Sequence, residues 1–82
     1  MSPIAETARL ETATETLAED IGYLHSEIDA ELQAVTPKRE RVAALEHELA
    51  IVLGERRSVT PDAFAIINRA LYIYAPRLKA LR

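Results

Sequence analysis

Apolar side chains recur every three or four residues along most of the chain, which is the spacing of one face of an α-helix. Three hydroxyl-proline pairs divide this pattern, and such pairs are typical of helix starts because the hydroxyl caps the helix and proline suits its first position. These pairs are Ser2-Pro3, Thr36-Pro37 and Thr60-Pro61. The pattern predicts helices over about residues 3–35, 37–53 and 61–80. No segment alternates with period two, so the fold class is predicted to be all-α.

The first two predicted helices should form an antiparallel hairpin, since Thr36 alone separates them. Their apolar positions align in three successive pairs: Ile28 with Leu45, Leu24 with Leu49, and Ile21 with Val52. In this alignment the second helix ends opposite the middle of the first. The chain is therefore predicted to be a single domain, residues 1–82, in which residues 1–17 form a protruding or partly ordered arm.

Three residues should interrupt the helices. Gly54 is placed to end the second helix as a C-cap. Gly22 lies inside the first helix, where glycine costs about 1 kcal/mol against alanine, so it is expected to permit a bend or the close approach of a neighbour. Pro76 should kink the third helix or end it early, because proline lacks an N–H and clashes one turn back.

The third helix has two predicted placements. It could cover the first half of helix 1, or it could complete a three-helix bundle against helix 2. We expect the bundle, because Ile66 and Ile73 form a second apolar stripe on helix 3, as Ile51 does on helix 2. A chain of 82 residues buries only a small core, which favours self-association, so a homodimer is also predicted.

Charge is divided unevenly along the chain. Residues 1–37 contain eight acidic side chains against Arg9 alone, whereas residues 38–82 contain nine basic and five acidic side chains. An acidic first helix beside two more basic helices would account for much of this division. The other interpretation is a charged surface that selects a partner of opposite sign.

The composition gives little support for an enzymatic function. Cysteine is absent, and only two glycines are available for a phosphate-binding loop. His25 and His47 fall at a similar level of the hairpin, but two histidines without an ordered carboxylate cluster do not make a metal site. The chain is therefore predicted to be non-enzymatic, without metal or cofactor. It has no apolar run near the ~20 residues that span a bilayer, so a cytoplasmic location without membrane contact is expected.

The remaining class is a small helical module that covers the surface of a partner protein, such as an antiactivator, a dedicated chaperone or adaptor, or a phage-type inhibitor. The apolar positions predicted to bind that partner are Ile66, Tyr72, Ile73, Ile51, Leu10 and Leu17. The alternative is a nucleic-acid-binding regulator that uses the basic region of helices 2 and 3. Its predicted contacts are Arg56, Arg57, Arg69 and Arg77.

Overall fold

The computed structural model describes residues 3–81, which form three helices. Helix α1 spans Pro3–Leu32, α2 spans Arg39–Ser58, and α3 covers residues 64–80. Within α3, the α-helical segments Phe64–Arg69 and Ala75–Ala80 are joined by a π-helical turn, Ala70–Tyr74. The prediction of an all-α fold with three helices is confirmed.

Helices α1 and α2 pack as the predicted hairpin. Five of the six side chains aligned from the sequence are buried in the core, and the sixth, Ile21, packs against it. Arg41 supports the same alignment, because it forms ion pairs with Glu31 and Glu27 on the facing part of α1. The turn is longer than the single residue predicted. It occupies residues 33–38, and the backbone N–H of Lys38 donates to Glu31 Oε1 at 2.9 Å just before α2 begins.

The end of α2 and the start of α3 differ from the predicted bounds by a few residues. Helix α2 continues through Gly54 to Ser58, and neither glycine has a positive φ, so Gly54 is not a C-cap. Helix α3 begins at Phe64 rather than at residue 61, because a turn precedes it in which the Ala63 N–H donates to the Thr60 carbonyl at 3.0 Å. Gly22 serves no close approach: a Cβ added there would meet nothing within 4 Å.

Pro76 does not end α3. It lies at the start of the segment Ala75–Ala80, directly after the π-helical turn. The π-helical turn lies directly before the last α-helical segment, where the N–H of Ala75 donates to the Ala70 carbonyl five residues back. A proline ring clashes with the carbonyl four residues before it, and a π-helical turn widens the backbone at that level. The helix therefore continues past Pro76 to Ala80.

Helix α3 packs on α1, so the expectation that it would pack chiefly against α2 is wrong. Its buried side chains Ile67, Ala70 and Tyr74 share one core with Ala13 and Leu17 of α1. The fully buried alanines, Ala13 and Ala70, leave room for two backbones to approach. Helix α3 thus covers the first half of α1, where a bare arm was expected, and only the first two turns of α1 remain largely exposed.

The arrangement divides the molecule into two regions that differ in their number of layers. In the overlap region (residues 13–24, 45–58 and 67–78), α2 and α3 both flank α1. The hairpin end (residues 25–44) is formed by the end of α1, the turn and the start of α2, and the end of α3 approaches it beside Arg41. The described chain is accordingly elongated, with extents of 52 × 25 × 14 Å.

Candidate functional site

Two ion pairs link α2 to α3 across the overlap region. Arg69 Nε donates to Glu55 Oε2 at 2.8 Å, and Arg77 donates from a terminal guanidinium nitrogen to Glu48 Oε1 at 2.8 Å. Because residue numbers rise along α3 as they fall along α2, these pairs define an antiparallel alignment of the two helices. Two pairs of long polar side chains therefore link α2 to α3.

This alignment places Ile51 of α2 opposite Ile73 of α3, between the two ion pairs. Both side chains are about half exposed, at 48% and 49%. We refer to these two residues as the isoleucine pair. The pair is an apolar patch contributed by two helices and bordered by two glutamates and two arginines.

The other residues predicted to bind a partner do not join this patch. Tyr72 is exposed, but its hydroxyl accepts a hydrogen bond from Arg9 at 3.1 Å, which places it toward α1. Ile66 and Leu10 pack against the core, and Leu17 is fully buried. The helical spacing of Leu10 and Leu17 could not reveal their burial, because the same spacing is expected whether this face of helix 1 is exposed or packed in the core.

The four arginines assigned to the nucleic-acid alternative have different surroundings. Arg69 and Arg77 are held by glutamates, as described above. Arg56 and Arg57 are exposed in the last turn of α2, where positive side chains also interact favourably with the helix dipole. The four guanidinium groups therefore do not share one free basic surface.

The uneven charge along the chain is neutralised only partly between α1 and α2. Arg41 pairs with Glu27 at 3.6 Å and with Glu31 at 3.8 Å, as expected for an acidic helix beside a basic one. The arginines of α3, in contrast, pair with glutamates of α2. Ion pairs therefore join α1 to α2 and α2 to α3.

A buried polar network, which the sequence analysis missed, lies beneath the α2–α3 ion pairs. Glu55 is buried, accepts from Arg69, and accepts a hydrogen bond from the hydroxyl of buried Tyr74. Burial and this hydrogen bond raise the pKa of Tyr74 to about 12. The hydrogen bond to Glu55 likewise raises the pKa of Arg69. The network keeps a buried glutamate partnered on two sides.

Asp20 is the second buried acid of the overlap region. It is only 2% exposed, and its Oδ2 atom has no hydrogen-bond partner in the described part of the chain. Burial raises the pKa of Asp20, and Glu48 and Glu55 add to the increase while Arg77 opposes it. A sequence signal existed: Asp20 follows Leu17 by three residues and precedes Leu24 by four, which is the spacing of a core position.

A cleft of about 360 Å³ opens beside Asp20, between the middle of α1, α2 and the end of α3. Its apolar walls include Leu24, Leu45 and Leu78, and its charged lining includes Asp20, Glu48 and Arg77. A buried carboxyl group, an ion pair and four leucines thus share one concave surface. This combination suits a small molecule with a polar head and an apolar body.

The histidines take no part in these features. His25 and His47 are both exposed, and residues 3–81 contain no group of three or more His, Cys, Asp or Glu side chains arranged to hold a metal ion. None of the helices described is both long enough and apolar enough to cross a membrane.

Comparison with known proteins identifies no relative. The chain matches no protein-family model, no curated protein and no solved structure. Any function must therefore be argued from the isoleucine pair, the buried polar network and the cleft.

Proposed function

We propose that the chain is a non-enzymatic helical interaction module, which acts by covering a partner surface as an antiactivator, adaptor, dedicated chaperone or phage-type inhibitor does. The observation that supports this proposal is the isoleucine pair: two half-exposed apolar side chains lie opposite each other on neighbouring helices, bordered by charged residues. An apolar centre within a polar rim is typical of protein interfaces.

The first partner we propose is a second copy of the chain. A two-fold interface requires a patch that is complementary to itself. The rim of the isoleucine pair fits this requirement, because α2 contributes the acidic side chain of Glu48 and α3 contributes the basic side chains of Arg69 and Arg77, while Glu55 is buried beneath them. Two copies related by a two-fold axis can therefore place α2 of one against α3 of the other.

Nucleic-acid binding has less support. Two of its four proposed arginines are engaged by glutamates, and α1 presents many acidic side chains that would repel phosphates. If the chain bound DNA or RNA and the Arg56→Ala/Arg57→Ala variant bound it equally well, nucleic-acid binding through these arginines would be excluded.

The self-association can be tested with Ile73→Glu, by sedimentation velocity across a range of concentrations. We expect the wild type to form dimers and the variant to remain monomeric with unchanged helical circular dichroism, because the substitution replaces an apolar side chain at the centre of the interface with a carboxylate that is costly to desolvate. Ile4→Glu is the matched control, since Ile4 is exposed on the first turns of α1, far from the patch. A wild type that stays monomeric throughout, or an Ile73→Glu variant that still dimerises, would overturn the proposal.

A further inference from the structure

We infer that the cleft beside Asp20 is a binding site for a small organic cation, namely a primary amine with a short apolar body. The site is separate from the isoleucine pair and shares with it only the Glu48–Arg77 ion pair. A volume of about 360 Å³ lies toward the small end of ligand sites, which span roughly 300–1,000 Å³.

The charge around the cleft favours a cation over an anion. Asp20 and Glu48 line it, together with the guanidinium groups of Arg41 and Arg77. Arg41, however, is already paired with two further carboxylates, Glu27 and Glu31. With Arg41 engaged by these two carboxylates, the charged side chains left to the cleft are Asp20 and Glu48, which are acidic, and Arg77, which is basic.

Asp20 provides the independent evidence for a ligand. Its Oδ2 atom is buried and lacks a hydrogen-bond partner within residues 3–81. A buried polar atom without a partner costs about 1–3 kcal/mol, and more when it carries charge. An ammonium group offers three donors and a positive charge, so it would satisfy this carboxyl group and neutralise it at the same time.

Arg77 lines the cleft together with Asp20 and is the positive group that acts on its carboxyl group. The side chain of Arg77 is about half exposed, and its ion pair with Glu48 is a partly solvated contact of the kind that contributes little to stability. An ammonium group can therefore displace the guanidinium group and take Glu48 as a second acceptor. The apolar body of the ligand would then lie against Leu24, Leu45 and Leu78.

The proposal is tested by titrating the full chain with phenethylamine and following amide chemical shifts by NMR. 2-Phenylethanol and phenylacetate, which present a neutral and an anionic head on a similar body, are the comparison probes. We expect saturable shifts around the cleft with the amine, and binding at least about tenfold weaker with the alcohol, as expected for losing a charge-assisted hydrogen bond. Equal binding of amine and alcohol, or preferential binding of phenylacetate, would overturn the proposal, as would no binding of the amine.

Two variants sharpen the test. Asp20→Asn should weaken amine binding about tenfold or more, whereas Asp29→Asn, the same change at an exposed position of α1, should leave it unchanged. Arg77→Gln should strengthen amine binding, because it removes the competing guanidinium group. An Arg77→Gln variant that loses the amine, or an Asp20→Asn variant that retains it, would contradict the assignment. Ile73→Ala, which removes half of the isoleucine pair without adding charge, should bind the amine like the wild type, so this test is separate from that of self-association.

Discussion

The overlap region and the hairpin end are built from the same two helices but differ in how far they exclude water. At the hairpin end, Leu32 and Val35 are exposed, and Arg41 meets its glutamates at 3.6–3.8 Å across a solvated surface. In the overlap region, Leu17 and Val52 are fully buried. The difference follows from α3, which adds a third layer to one region only.

The third layer also changes the chemistry of acidic side chains. Glu31, at the hairpin end, accepts from a backbone N–H and pairs with an arginine while remaining partly solvated. Asp20 and Glu55, in the overlap region, are almost fully buried, and one of them has an unpartnered oxygen atom. The region that stabilises the fold is therefore also the region where burial raises the pKa of Asp20.

Truncating a leucine in each region should give the largest contrast. Leu17→Ala removes a fully buried side chain and is expected to lower the free energy of unfolding by about 2–5 kcal/mol. Leu32→Ala, at the exposed end of α1, should change it by no more than about 0.5 kcal/mol. Urea denaturation followed by circular dichroism measures both. Similar losses for the two variants would show that the hairpin end is covered in solution.

Replacing the unpartnered acid should have an intermediate effect that depends on pH. The pKa of Asp20 is higher in the folded chain than in the unfolded chain, so the folded state binds more protons between the two values. This group therefore lowers the free energy of unfolding as pH rises through its folded pKa. Asp20→Asn should stabilise the chain by roughly 1–2 kcal/mol at neutral pH and have little effect at a pH below both values.

The measurement is urea denaturation of the wild type and the variant at a series of pH values. Asp29→Asn is the control, because the same substitution on the exposed surface of the hairpin end should not change the pH dependence. If Asp20→Asn destabilised the chain equally at every pH, the aspartate would be making a hydrogen bond that the structure does not contain.

The sequence predicted what depends on local spacing and on one short connection. The helical spacing of Leu24 and Ile28, and of Leu45 and Leu49, together with the short connection between them, was enough to predict two helices and to align them as a hairpin. Helix ends were less predictable. Thr-Pro pairs favour helix starts and glycine favours helix ends, but packing overrides these local preferences. Helix α2 therefore continues past Gly54 to Ser58, which places Glu55 in the core.

The position of α3 could not be predicted from spacing, and neither could the surfaces that depend on it. Its apolar residues suit α1 and α2 alike, and the deciding features, the small side chains of Ala13 and Ala70 and the hydrogen bonds from Arg9, pair residues more than fifty positions apart. Consequently Leu17 was expected at a partner surface and lies in the core. The burial of Asp20 and Glu55 was not predicted, because acidic residues are seldom buried.

The smallest predicted effect concerns the outer face of the overlap region. Gly22 is exposed within α1, and a Cβ there would meet nothing within 4 Å, so Gly22→Ala should raise the free energy of unfolding by about 1 kcal/mol through helix propensity alone. Gly54→Ala is the parallel case in α2, where the added Cβ would meet only the end of the Arg57 side chain at 3.8 Å. Urea denaturation at low protein concentration measures both gains. A loss of stability in Gly22→Ala, or a change in its oligomeric state, would mean that another chain packs closely on this face of α1, and the overlap region would then have a fourth layer in solution.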